Sequence, residues 1–286
     1  IELRLSTLPT AFGEKLVMRI FDPQVLLKDF DQLGLSDEDQ RRWHAMTRQT
    51  SGIILVTGPT GSGKTSTLYT TLKQLATREI NLCTVEDPIE MVEPAFNQMQ
   101  VRHNIDLTFA SGIRALLRQD PDIIMIGEIR DHETAEMAIQ AALTGHLVLS
   151  TLHTNDAPSA ISRLQELGVA HYLIKATLLG VMAQRLVRVL CPQCKRVEHD
   201  RPEAVGCADC RHSGYHGRAG IYEIMVLDES LKTLITPEAD VLALRRAAIG
   251  QGMCSLRMAG MQKVMSGHTT LAEVLRVTPA DSVTNP

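Results

Sequence analysis

Apolar and polar positions alternate in two runs at the start of the chain, residues 2–8 and 15–21. They predict a β-hairpin with a long loop made of Pro9, Thr10, Ala11, Phe12, Gly13 and Glu14. A hairpin alone is not stable in water, and the chain opens at Ile1 already inside the strand pattern. Residues 1–22 are therefore expected to be the end of a preceding α+β domain, in a chain that is a piece of a longer polypeptide. Periodicity then lapses, with Pro23 and Gly34 as breakers, and residues 23–35 are expected to form a linker. Ser36 followed by Asp39 is a capping-box signature for a helix reaching residue 49.

Beyond that helix the pattern changes. Residues 53–56, 82–85, 123–126 and 147–149 are short, continuous apolar runs, as strands buried on both faces require. Helical spacing fills 64–76, 109–118, 133–143 and 157–167 between and after them. The alternation predicts a mostly parallel sheet with helices on both faces, a three-layer α/β core over residues 36–190. Residues 171–190 are expected to form a long helix or helix pair, leading into a cysteine-rich element at 191–218. A short strand at 220–225 and helices to about residue 277 are expected to form a C-terminal part, residues 219–286.

Composition narrows the partners. With 286 residues, 44% hydrophobic and 22% charged, the chain has the make-up of an ordinary globular protein. A net charge of -4, 3% aromatic residues and no basic stripe leave little with which to hold or stack nucleic acid. The richest apolar stretch, 173–190, is interrupted by Lys175, Gln184, Arg185 and Arg188, so no direct membrane span is expected. Without an export signal, the expected compartment is the reducing cytoplasm.

One octet carries most of the chemistry. Gly58, Pro59, Thr60, Gly61, Ser62, Gly63, Lys64 and Thr65 fit G-x-x-x-x-G-K-[ST], straight after a buried strand and opening a helix, with Ser66 next. Glycines let the backbone curl until its N–H groups converge on phosphate oxygens, and the helix N-terminus adds positive potential. Lys64 is expected to reach the β and γ phosphates and Thr65 to offer its hydroxyl to Mg²⁺. The bland alternative is an ordinary glycine-rich turn.

Hydrolysis also needs a group that readies water. Glu128 follows the strand at 123–126, at the carboxyl edge of the sheet where a nucleotide lies, and is the expected base. Glu86 and Glu90, in the acidic cluster after the strand at 82–85, are expected to position water or hold Mg²⁺ through water. A generic Walker B would carry Asp where this chain has Gly127. His153, past the end of another central strand, is placed to sense a γ-phosphate, with His146 a weaker candidate. Read without the motif, these acids cap helices and these histidines are structural.

Cys191, Cys194, Cys207 and Cys210 form two Cys-x-x-Cys pairs separated by twelve residues with little to bury, a spacing that suits one structural Zn²⁺. Redox pairs are the rival reading. Cys83 and Cys254 are expected to be packing residues.

The stretches RLSTLPTAFGEKLVMRI, GPTGSGKTSTLYTTL, TVEDPIE, LRQDPDIIMIGEIRDHETAEMAIQAALTGHLVLSTLHTN, GRAGIYEI and SGHTTLAEVLRVT together resemble one family, the motor ATPases of type II secretion and type IV pilus assembly. The resemblance runs over nearly the whole chain and implies a RecA-like P-loop NTPase that hydrolyses ATP with Mg²⁺. It implies that Glu86 to Glu90 form an aspartate box, that residues 123–128 are an atypical Walker B with Glu128 catalytic, and that His146 and His153 form a histidine box. It likewise implies a tetracysteine zinc element and a homo-hexamer. In such a ring Arg4 and Arg19 fall where arginine fingers stand, with Arg130 and Arg163 as lesser candidates. The implied partners are an inner-membrane platform protein and a cytoplasmic anchor, with the chain peripheral on the inner membrane. The phrase LLGVMAQRLVR looks more like the secretion branch than the pilus branch. A nucleic-acid-driven RecA-like motor and a scaffold that binds ATP without hydrolysing it are the readings from other classes.

Overall fold

A computed structural model describes residues 2–21, 28–198 and 201–279. The first two strands, β1 (Glu2–Thr10) and β2 (Gly13–Phe21), pair antiparallel as expected. They run further than the sequence suggested: only Ala11 and Phe12 remain as the turn, closed by a hydrogen bond from the Thr10 hydroxyl to the Gly13 carbonyl at 2.7 Å. Of the expected linker, residues 23–27 lie outside the described residues. Its second half is docked onto the core. Asp29 caps α1 (Phe30–Leu33), Phe30 and Leu35 are buried, and the Lys28 and Leu33 carbonyls accept from Thr70 and Tyr222. The Ser36–Asp39 capping box opens α2 (Asp37–Thr47), which buries Trp43 and Met46.

Seven strands make the main sheet: β3 (Gly52–Thr57), β4 (Leu82–Glu86), β5 (Asn97–Gln100), β6 (Ile123–Ile126), β7 (Leu147–Leu152), β8 (Leu178–Leu190) and β11 (Tyr215–Val226). Their order is β11-β8-β3-β7-β6-β4-β5, all parallel except β11, which runs antiparallel to β8. A separate pair, β9 (Arg196–Glu198) and β10 (Arg201–Glu203), lies in the cysteine-rich element. The helices are α3 (Lys64–Leu75), α4 (Phe109–Leu116), α5 (His132–Leu143), α6 (Ser159–Glu166), α7 (His171–Thr177), α8 (Glu229–Thr233), α9 (Val241–Gly250), α10 (Leu256–Met265) and α11 (Leu271–Val277).

Both faces of the sheet are covered, because successive side chains of a strand point to opposite sides. Ile53, Leu55, Ile124, Ile126 and Val148 enter one core, under α4 to α11. Ile54, Val56, Met125 and Leu149 enter the other, under α1, α2 and α3. Each fully buried aliphatic side chain contributes roughly 1.5–3 kcal/mol, which is what holds three layers together.

Two expectations need correction, and one strand was not foreseen. Residues 171–190 are a short helix followed by a 13-residue strand, because after Thr177 the backbone turns extended and the run fills the slot between β3 and β11. Burial on both faces had hidden the period of two. The strand expected at 220–225 is twelve residues long and belongs to the main sheet, so the C-terminal helices share its core. The short strand β5, NQMQ, lacks the apolar run that would have announced it.

Candidate functional site

Strand β3 ends at Thr57 on the carboxyl edge of the sheet, and the chain curls through residues 58–63 before α3 begins at Lys64. Gly63 takes the N-cap position at φ +88°, a left-handed backbone open to glycine, and offers no side chain to the first amides of the helix. Those amides, the helix dipole and the ammonium of Lys64 form an anion site. The Lys64 Nζ folds back to donate to the carbonyls of Gly58 (2.8 Å) and Pro59 (3.2 Å). Burial pulls its pKa down to about 8, against the pull of the nearby Glu128 carboxylate. Ser62 is buried, and among the described residues its hydroxyl has no hydrogen-bond partner. An orphaned hydroxyl in this cradle fits a phosphate oxygen as its missing partner. Thr65 and Ser66 follow in the first turn, half-buried, so Thr65 is available to a Mg²⁺ beside the phosphates.

The underside of this loop rests on β8. A Cβ at Gly58 would lie 2.6 Å from the Gln184 carbonyl and 2.7 Å from Ser62 Oγ, and one at Gly63 would lie 2.8 Å from Gln184 Nε2. The Gln184 side chain accepts from Thr67 at 2.8 Å, while the Arg185 guanidinium donates to the carbonyls of Gln184 (2.9 Å) and Asn155 (2.7 Å). Sequence reasoning missed this pair. The available signal was two polar residues breaking an apolar run.

At the end of β6 the Glu128 carboxylate is largely buried and receives Arg130 Nε at 2.6 Å and His153 Nε2 at 3.4 Å on the same oxygen. The His153 loop is pinned to the phosphate loop's own strand, since the Thr154 amide donates to Thr57 Oγ1 at 2.8 Å. Lys64, Glu128 and His153 are thus brought together. At Gly127, where a generic Walker B carries aspartate, the space is tight: a Cβ would lie 3.3 Å from the Val85 carbonyl, 3.4 Å from Phe109 and 3.5 Å from the Glu86 Cα. Beside it, the Glu86 carboxylate is 3% exposed and accepts from Tyr69 (2.6 Å), Thr84 (2.6 Å) and Gln98 (3.1 Å). Glu90 lies half-buried on the loop that follows.

His146 does not join the site. It precedes β7 at the opposite edge of the sheet, where its carbonyl accepts from Gly52 and its ring nitrogen donates to the Ala141 carbonyl at 2.8 Å. The six residues of β7 place it about 20 Å from the phosphate edge. Arg4 and Arg19 face each other across the hairpin, but their side chains lie outside the described residues. Arg163 pairs with Glu166 and lines, with Arg130 and His153, an open cavity of about 680 Å³.

The four cysteines converge at the turn between β8 and β11. Their sulfurs all lie within 4.8 Å of one another, with neighbouring pairs at 3.8 and 3.9 Å. A metal with sulfurs at about 2.3 Å sets a tetrahedral edge of about 3.8 Å, so the set fits one four-coordinate ion. Hydrogen bonds from the backbone N–H groups of Cys207 and Gly214 pull the Cys210 thiol down, whereas burial pushes its neighbour Cys194 up, so the thiols share protons as a set and a metal would be needed to hold all four as thiolates. Cys83 is buried in the core, in keeping with a packing role.

Comparison with known proteins agrees with this geometry. Residues 1–276 match the family model described as Type II/IV secretion system protein. The chain is similar to the type IV pilus assembly ATPase TfpB of Acinetobacter baylyi, 61% identical over 97% of this chain and 51% of that protein. It is also similar to the type II secretion system protein E of Pseudomonas aeruginosa, 49% identical over 97% of this chain and 59% of that protein. It therefore spans between half and three-fifths of the length of these relatives. Among solved structures, the pilus retraction motor PilT with bound ADP superposes with a TM-score of 0.73 at 28% identity, covering 98% of this chain and 74% of that one. The fold, the phosphate loop and these relatives agree, and the chain belongs to the type II/IV secretion system protein family.

Proposed function

We propose that this chain is the ATP-hydrolysing core of a cytoplasmic motor that powers protein secretion by a type II system through pseudopilus assembly. The observation that carries the reading is a largely buried Glu128 carboxylate, touched by His153, within the field of Lys64 on a phosphate loop. Residues 58–66 would cradle the triphosphate, with Lys64 neutralising its charge. Glu128 would orient the attacking water and take its proton, with His153 reporting the γ-phosphate. Mg²⁺, held beside Thr65 with Glu86 and Glu90 behind its waters, would neutralise charge on the phosphates. Arg4 and Arg19 would complete the site in a homo-hexamer, as trans arginines do for phosphoryl transfer. Zn²⁺ is the ion we assign to the four cysteines, in a closed site without an open position and hence a structural role.

Among the described residues no helix is long and apolar enough to cross a membrane. The motor would reach the inner membrane through a platform and an anchor protein. A second reading, type IV pilus assembly, is favoured by the 61% identity to TfpB. Turnover of the oligomeric protein, compared with Glu128→Gln and Lys64→Ala, tests the chemistry. Glu128→Gln is expected to keep nucleotide binding and lose at least about 100-fold in rate, as loss of a catalytic base does; parental turnover in that variant removes Glu128 from its role. Deletion in the source organism, scoring released exoproteins beside surface pili, separates the two readings.

A further inference from the structure

Tyr69 is fully buried on α3, one helical turn beyond Thr65 and on the same face. Its ring packs edge-to-face on Phe96, with centroids 5.8 Å apart, a contact that phenylalanine would make equally well. The hydroxyl is what needs explaining. It lies 2.6 Å from Glu86 Oε2, 3.1 Å from the Met91 carbonyl and 3.1 Å from Gln98 Nε2. A phenol has one proton, and the short contact to a carboxylate takes it. Gln98 Nε2 then serves the Met91 carbonyl at 2.9 Å, and Gln98 Oε1 accepts from the Glu93 amide at 2.7 Å. Thr84 and Gln98 both donate to the other carboxylate oxygen, so Tyr69 is the donor seen on Oε2 among the described residues.

We propose that Tyr69 is a positioning residue for hydrolysis: its hydroxyl fixes the Glu86 carboxylate beneath the magnesium corner of the phosphate loop and ties the acidic loop at 87–96 to the helix that binds phosphate. This rests on the ATPase reading above. A buried carboxylate is costly unless fully hydrogen-bonded, and this one is held from three elements, α3, β4 and β5. Burial also pushes the Tyr69 phenol far up, with Glu86 adding to the effect, so the hydroxyl keeps its proton and remains a donor. The loop carrying Glu90 is held by Gln98, which donates to the Met91 carbonyl and accepts from the Glu93 amide, and by the ion pair of Glu93 with Lys73 of α3 at 2.7 Å; Tyr69 supports it through the Glu86 carboxylate it shares with Gln98 and through its ring contact with Phe96.

Tyr69→Phe in the full-length protein removes one proton donor and keeps the ring. Affinity for a non-hydrolysable ATP analogue is expected to stay within about twofold, while the Mg²⁺ concentration for half-maximal turnover rises about tenfold, the weight of one hydrogen bond to a charged group. In the nucleotide-free protein, amide exchange over residues 87–96 is expected to quicken by a similar factor. Gln98→Met is expected to quicken the same segment, and Phe96→Leu, a packing lesion in the same cluster, to lower stability without moving the Mg²⁺ requirement. Unchanged Mg²⁺ dependence and exchange in Tyr69→Phe overturns the proposal, as does an equal Mg²⁺ shift in Phe96→Leu. A parent protein without turnover sinks the ATPase reading instead, and the exchange measurement still decides whether Tyr69 holds the loop.

Discussion

Burial pulls the Lys64 ammonium down to about 8, against 10.5 for a free lysine. Between those two values the unfolded chain binds a proton that the folded one does not, so stability rises with pH across that window. Below it, the charge is a standing penalty. Lys64→Met is therefore expected to raise the stability of the nucleotide-free protein by no more than about 1 kcal/mol, the relief of burial being reduced by solvent screening and by the loss of the donor to the Gly58 and Pro59 carbonyls, while abolishing nucleotide binding. Denaturant titration at pH 7 checks the first half and calorimetry the second; a destabilised variant would contradict the account. Affinity for ATP should also decline as pH rises past about 8, since the phosphates need the protonated form. At this scale Lys64, Ser62 and Glu128 were legible, because the octet and the strand end dictate where they go. Gln184 and Arg185 were not, since their contacts with the phosphate loop depend on a strand slot that no local pattern encodes. Nor did spacing along the chain say which edge of the sheet His146 meets; it stands at the far one.

In the element built from β8, the cysteine turn and β11, α11 packs on β8 close to the cysteine turn, at Arg188. Glu273 is fully buried there and accepts from the Arg188 backbone and from the guanidiniums of Arg188 (2.8 Å) and Arg276 (2.7 Å). Burial alone would raise its pKa, but the hydrogen bonds from Arg276 and Arg188 outweigh it and hold the carboxyl at about 2. A carboxyl depressed in this way stabilises the fold above its unfolded pKa of 4.5 and loses that contribution as pH falls toward 2. Glu273→Gln is expected to cost about 1–3 kcal/mol at pH 7, since it removes charged hydrogen bonds from a buried carboxylate while both guanidiniums keep access to water. That difference should shrink toward zero near pH 2, which acid titration of both proteins measures. Chelation is expected to act on the same end of that element. Because metal binding of this kind supplies roughly 10–16 kcal/mol, removing the ion should speed amide exchange at residues 191–214 first and leave β3 to β7 protected. Unchanged exchange there would argue against a bound metal. The cysteine spacing was plain in the sequence; the strand leading to it was not, because a run buried on both faces reads as a helix and a strand alike.

For the molecule as a whole, the sheet's parallel order was legible from strands and helices taking turns, whereas the antiparallel edge was hidden by the cysteine-rich insertion. The hairpin β1–β2 presents Leu3, Leu5, Leu8, Phe12, Leu16 and Ile20 to solvent, between 52% and 102% exposed. If its arginines act on another subunit's nucleotide, turnover per subunit should climb with protein concentration through the assembly range and then level off. A flat dependence from dilute solution upward would mark a self-sufficient monomer. Strand β8 bears a further consequence. It touches the phosphate loop at Gln184 and reaches Cys191 seven residues later, a span of about 23 Å at strand rise. Bonded to β11 along nearly all of that length, it forms a stiff ribbon with the phosphate loop resting near its midpoint and the four cysteines at its tip, so a pull applied at the cysteines would be felt at the loop without touching it.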